Sequence, residues 1–475
     1  MSKNPYGQNR DELRELLEQY NNLVEGKAHS FIEEEGFERI VDYYDEKEKY
    51  NKAFEAAELG CNQYPYSAAL LIKKADILIS LRKYRESLDV LEQAELLDAS
   101  DGSLFIIRAD AFLALDMQED AHKIFDYIIE YFEGDERIDL LFELSEVYDD
   151  YENFEMVFDC LKIILELDPS NEEALYKICF WTDFTGRNEE GISLHLKIIE
   201  EYPYNELAWF NLGAAYQGLK LYEKAIDAYQ YAVAIDEKFD YAYRNMGDAY
   251  IKLRKFKDAI EVLEKVLDLS RPEALLYEAI GHCYDKLKNY SQARNNYKKA
   301  CHLNPEDSQM HYKLALTYMN EAAWDNALKS LQSALKAHVM QPEYNLAAGQ
   351  CYMQLGDTDE ALTYFGNVIR VRPKNVTGWV ELLKCLYHAE FYEEGIEYAS
   401  YAYEHTDSKP IFGFYRSLFL FAAGKLKEAL VSLENSMKVN PKLMKNILEL
   451  NPSLLKHQQV VDLIASHKKN IRRKK

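Results

Sequence analysis

A period of thirty-four residues constrains this chain more than any other feature. Trp209, Leu212-Gly213, Tyr216, Ala225, Tyr229 and Ala232 set the pattern. One period on, the slots hold Tyr243, Met246-Gly247, Tyr250, Ala259, Leu263 and Val266. A further period gives Tyr277, Ile280-Gly281, Tyr284, Ala293, Tyr297 and Ala300, closed by Pro305. Self-similarity at this spacing marks a stack of small supersecondary units, none of which buries its apolar face alone.

Twelve repeats fit, starting at 34, 68, 102, 138, 172, 206, 240, 274, 308, 342, 376 and 410, and together they span 34–443. The single slip is Glu136-Arg137, before the fourth. Counting each start as position 1, positions 4, 7, 8 and 11 share one helical face. Positions 20, 24 and 27 define a second helix. Position 20 is Ala, Gly or Ser in every repeat except at Val157. Small residues there and at position 8 let the two helices approach closely. Proline stands at position 32 in Pro65, Pro169, Pro203, Pro305, Pro373 and Pro441. It suits a helix boundary, because it lacks an N–H and has a fixed φ. Each repeat therefore predicts a helical hairpin. The chain predicts an all-α fold, an α-solenoid forming one elongated unit.

A stack needs covered ends. Residues 1–33 carry the stripe Leu13, Leu16, Leu17, Tyr20, Leu23 and Val24, which predicts a capping helix, and Ser30 with Glu33 reads as a capping box. Residues 444–467 predict terminal helices, broken at Asn451-Pro452. Residues 468–475 hold Lys468, Lys469, Arg472, Arg473, Lys474 and Lys475, and predict a basic disordered tail.

The net charge of −25 disfavours a general role on nucleic acid, whose phosphates require a basic surface. No apolar run reaches the roughly 20 residues of a membrane span, so no membrane insertion is expected. The start, Met-Ser-Lys-Asn-Pro-Tyr-Gly, shows no apolar signal core. A cytoplasmic location is expected, with Cys61, Cys160, Cys179, Cys283, Cys301, Cys351 and Cys385 as free thiols.

Residues that could carry chemistry are mostly absorbed by the register. No HExxH, GxxxxGK[ST], GxSxG or dinucleotide-type GxGxxG occurs. The acids of 98–102 lack the alternation of a calcium loop and read as a turn. Tyr44, Tyr148, Tyr216, Tyr250, Tyr284, Tyr318 and Tyr352 all fall on position 11, a packing slot. No catalysis, metal or cofactor is expected.

The pattern resembles the tetratricopeptide repeat: a large residue at 4, Leu-Gly or Leu-Ala at 7 and 8, Tyr at 11, Ala at 20, an aromatic at 24, Ala at 27 and Pro at 32. The resemblance covers all twelve repeats and is best over 206–307. Lys74 and Arg108 depart from it at position 7, and Gly191 and Gly395 at position 20. The resemblance implies a non-catalytic scaffold that holds a protein or peptide ligand in a concave groove lined by the first helices. Positions 2, 5, 9 and 12, with 6 beside them, would face that ligand. They hold Tyr176, Phe180 and Asp183; Phe210, Asn211 and Gln217; Tyr241, Arg244, Asn245 and Asp248; Glu278, His282 and Asp285; and Tyr312. The contact zone expected is 172–320. A carboxylate clamp of the co-chaperone type is not expected, since Tyr176, Phe180, Asn211, Tyr241 and Asn245 match one of its five slots. An asparagine ladder of the glycosyltransferase type starts at Asn211 and Asn245 but stops at Ala279 and Lys313.

The inner slots of the last repeat are Ile411, Phe414, Leu418 and Phe421, all apolar. Such a stripe needs a cover. Either the terminal helix 453–467 folds over it, or a hydrophobic partner or second copy does. The second option is the alternative function: assembly, for example as a homodimer, through the last repeat and the C-terminal segment.

Overall fold

The computed structural model describes residues 5–27 and 31–473, and among these there is helix but no strand. After an N-terminal helix (Pro5–Val24), the chain forms twelve successive helix pairs, from Glu34–Asp45 with Tyr50–Gln63 to Pro410–Ala422 with Leu426–Val439. It divides into two compact units, residues 1–245 and 246–475. Repeats in a stack pack on their sequence neighbours only, so compactness is local.

Every hairpin turns the same way. In all twelve repeats the residue at position 15 has a positive φ, between 56° and 84°, from Glu48 to Gly424. The next N–H then bonds back to the carbonyl at position 11, as in Leu221 to Tyr216 (2.9 Å) and Asp357 to Tyr352 (3.0 Å). This is the Schellman ending of a helix, which satisfies carbonyls otherwise left open. Only Gly186, Gly356 and Gly424 are glycine at this position, so composition alone hides the turn. The next first helix often opens on a side-chain cap at position 34. Ser67, Asn171, Asn205, Asp307 and Asn375 accept the N–H of the residue three positions on.

Within a hairpin, position 8 packs on position 24. A Cβ added to Gly213 would meet the Tyr229 ring at 2.5 Å, and one on Gly349 would meet Phe365 at 2.6 Å. The two departures at position 20 have the same cause. A Cβ on Gly191 would strike the Thr182 methyl at 2.7 Å, and one on Gly395 the Phe419 ring at 2.2 Å. Lys74 and Arg108 keep their charges at the edge of the core. Lys74 pairs with Glu58 at 3.8 Å and lies over Phe54, and Arg108 pairs with Glu95 at 2.7 Å and lies over Phe105. Long stems buried beneath wet heads make these positions tolerable. His195 takes position 24 of the fifth repeat. It is fully buried and neither ring nitrogen has a hydrogen-bond partner, so desolvation pushes its pKa down to about 3.

At the N-terminus, Tyr20 is buried and Leu16, Leu17 and Leu23 pack on the first repeat's cluster, while Val24 stays exposed. Ser30 lies outside the described residues. The helix it was expected to open begins at Glu34, and Glu33 itself is the N-cap, with no side-chain cap bond. At the other end, Ile411, Phe414 and Leu418 are buried in one cluster with Met444, Ile447, Leu454 and Val460. Phe421 is half-buried against His457, with ring centroids 5.7 Å apart. The chain's own C-terminal segment covers the stripe, so it is not an open surface for a partner. The last helix runs Gln458–Arg473, past the boundary expected at 467. Neither Gly nor Pro interrupts it, and Lys and Arg are good helix formers. Lys474 and Lys475 lie outside the described residues.

Candidate functional site: the first-helix faces

In the N-terminal unit, the face of the fifth repeat's first helix (Glu172–Phe184) stands out. Tyr176 is 69% exposed, Phe180 60% and Phe184 57%. They sit at i, i+4 and i+8, so they form one continuous ladder along the helix. The ladder has a base. Phe180 stacks on Phe184 with centroids 5.6 Å apart and meets Trp181 edge-on at 4.8 Å. Trp181 in turn stacks on Phe154 of the fourth repeat at 5.2 Å. Phe184 and its support fall outside the slots the family pattern uses for ligands. Their signal in the sequence was the clustering of Phe180, Trp181 and Phe184 on consecutive turns.

Further along this unit the expected residues part company. Tyr241 is exposed at 56%. Phe210 is half-buried against Tyr229 and Phe239, at 5.7 and 5.0 Å between centroids. Asn211 is only 2% exposed, and its amide donates to the Leu175 carbonyl at 2.7 Å. It ties one repeat to the one before it and offers nothing to a ligand, so its assignment to the groove is corrected. Arg244 pairs with Asp240 at 3.4 Å, and Asn245 is half-buried.

In the C-terminal unit, Asp248 is exposed, and the protein around it raises its pKa above the usual carboxylate range, with Lys252 acting the other way. His282 is half-buried beside Phe256, and its pKa is lowered by desolvation and by Lys286 and Lys313. Tyr312 is half-buried on Tyr344 at 4.9 Å. Here the candidates are largely engaged with their own neighbours.

The first four repeats hold something the slot analysis passed over. Position 9 is a carboxylate in each: Asp42, Asp76, Asp110 and Glu146. Asp76 is raised to about 6, first by desolvation and then by repulsion from Asp45 and Asp110, with Lys73 opposing. Its side chain still reaches solvent. Asp76 is thus wet yet hemmed in by protein and by like charges. Lys73 answers Asp42, and Tyr151 donates to Asp110 at 2.6 Å. Glu143 is also raised, by desolvation and by Asp139 and Glu146. Elsewhere the chemistry is bland. Asp98 simply accepts from the N–H and hydroxyl of Ser100, as in a turn. All seven cysteines are free, and five are buried. Among the described residues no helix is long and apolar enough to cross a membrane.

Two family models match consecutive stretches. The C-terminal ARM domain of tetratricopeptide repeat protein 21 matches residues 212–347, and a tetratricopeptide repeat model matches 346–410. With twelve helix pairs on a 34-residue register, the chain is a tetratricopeptide-repeat protein. No curated protein matches it. Among solved structures, YrrB, a TPR protein with an unusual peptide-binding site, is 22% identical, with a TM-score of 0.36, over 39% of this chain and 95% of that one. The C-terminal part of a TPR protein from Cytophaga hutchinsonii is 16% identical, with a TM-score of 0.41, over 54% and 99%. A chain of the APC/C Cut9–Hcn1 hetero-tetramer is 12% identical, with a TM-score of 0.34, over 84% and 97%.

Proposed function

We propose that this scaffold binds a peptide or protein segment on the first-helix faces of its N-terminal unit, with Tyr176, Phe180 and Phe184 as anchors. One observation carries the reading: three large aromatic side chains stand exposed along one helix, braced from beneath by Trp181 and Phe154. Aromatics held rigidly at a surface supply contact area at little cost in conformational entropy, and such residues dominate interface energetics. The position-9 carboxylates lie on the same helix face of the preceding repeats. They favour a segment that carries lysine or arginine beside its apolar residues. The proposed contact zone thus keeps the N-terminal part of 172–320, with Tyr241 in it, and extends toward the N-terminus to the carboxylates of the first four repeats. Self-association through the last repeat is not favoured, because its stripe is already covered.

The test is selection from a random peptide library displayed on phage. The wild-type chain is expected to enrich peptides that combine basic and apolar residues. The variant Tyr176→Ala, Phe180→Ala, Phe184→Ala should bind those peptides at least tenfold more weakly, consistent with about 2 kcal/mol for a hot-spot residue. Equal affinity of the variant for the selected peptides would refute the anchor.

A further inference from the structure

Position 7 is apolar in nine of the twelve repeats and cationic in three, Lys74, Arg108 and Arg416. In the first two, the preceding repeat's second helix supplies a carboxylate. Glu58, at position 25, pairs with Lys74 at 3.8 Å, and Glu95, at position 28, pairs with Arg108 at 2.7 Å. The third cation has no such answer. Positions 25 and 28 of the eleventh repeat are Ser400 and Tyr403. Among the described residues Arg416 makes no ion pair.

Arg416 instead lines a cavity of about 540 Å³ at the junction of the eleventh and twelfth repeats, within the C-terminal unit. Small residues line it at slots that are usually larger. Position 4 carries a large side chain in ten of the other eleven repeats and Asn345 in the remaining one but is Gly413 here, and position 24 of the eleventh repeat is Ala399. Ser436 fills the space beside Gly413, where an added Cβ would lie 2.2 Å from its Oγ, so small polar side chains line the cavity here. The volume lies in the range of small-molecule sites.

The lining is chemically mixed. Ser400, Ser432 and Ser436 donate their hydroxyl protons to the carbonyls of Ile396, Gly413 and Ser432, at 2.9, 3.2 and 2.9 Å. Their oxygens are therefore left as acceptors. Glu404 also lines the cavity and is a further acceptor, yet it forms no ion pair with Arg416. Cation and anion share one cavity without meeting.

We propose that this cavity is a binding site for a small ligand that presents a carboxylate to Arg416 and an ammonium or N–H group to Glu404. Its class is a free amino acid or the end of a short peptide. The carboxylate takes the place that Glu58 and Glu95 occupy at the other two cations. The site is separate from the aromatic ladder and independent of its partner.

The test is titration of the full chain by isothermal calorimetry with L-glutamate, as a free amino acid, and with tri-alanine, as a peptide terminus. Saturable binding of either is expected, and whichever binds names the source. Arg416→Gln should weaken it at least tenfold, whereas Arg416→Lys should keep part of it. Ser400→Glu places a carboxylate where the first repeat has Glu58. It should abolish binding while leaving the melting temperature equal or higher. The proposal is overturned if neither probe binds at millimolar concentration, if Arg416→Gln binds like wild type, or if Ser400→Glu leaves binding intact.

Discussion

At position 15 the fold imposes a conformation that most of its residues resist. A left-handed backbone costs a residue with a Cβ about 1–2 kcal/mol, yet nine of the twelve repeats place such a residue there. Ala322, exposed and with φ 57°, has no polar side chain to offset that cost. Ala322→Gly is expected to raise stability by about 0.5–1 kcal/mol in urea unfolding, after the extra unfolded-state entropy of glycine is deducted. A loss of stability would contradict this account of the turn. His195 gives a second prediction. Its folded pKa of about 3 lies below the ordinary value near 6.5. The unfolded chain therefore takes up a proton first as the pH falls. Stability is whole above about 6.5 and declines toward about 3, by about 1.4 kcal/mol per pH unit. His195→Leu, matching Leu91 and Leu161 at the same position, should reduce the loss between pH 7.5 and 5.5 by about 1.4 kcal/mol. An unchanged pH dependence would show that His195 is not buried and neutral. Neither feature was legible in the sequence. The register located both residues, but the backbone angle and the lack of partners arise only from packing.

At the scale of elements, the helices were readable because their apolar periodicity is local. Whether an apolar face stays open is not local. Ile411, Phe414 and Leu418 gave the same signal whether a partner or the chain itself covered them. The structure buries them with Met444, Ile447, Leu454 and Val460. A chain ending at residue 443 should therefore expose them, at about 1.5–3 kcal/mol for each side chain fully uncovered. A lower melting temperature and increased light scattering are expected. If the truncated chain melts like wild type and stays monodisperse, the C-terminal segment does not serve as the cover. Asn211 teaches the same lesson in reverse. Its slot matched a ligand position, but a backbone carbonyl from the preceding repeat had already claimed its amide.

For the whole molecule, charge is the property that matters most. A net charge of −25 repels itself in the folded state, and the clustered carboxylates around Asp76 show where. Screening lengths fall from about 30 Å at 10 mM salt to about 8 Å at 150 mM. The melting temperature should therefore rise over that interval in sodium chloride. A flat or falling curve would mean that the local ion pairs outweigh the repulsion. Binding of a basic segment should respond the opposite way and weaken with salt.

Determined by the sequence alone were the register, the pairing of helices and the slots that small residues must fill. These depend on residues three, four and thirty-four positions apart, and a stack of like units repeats them faithfully. The tertiary structure decided what remains open. It left Tyr176, Phe180 and Phe184 bare, closed the last repeat's stripe, and set Arg416 at the wall of a cavity with no carboxylate paired to it. The physical reason is that exposure and pairing depend on which side chains a neighbouring repeat happens to bring, and periodicity carries no record of that.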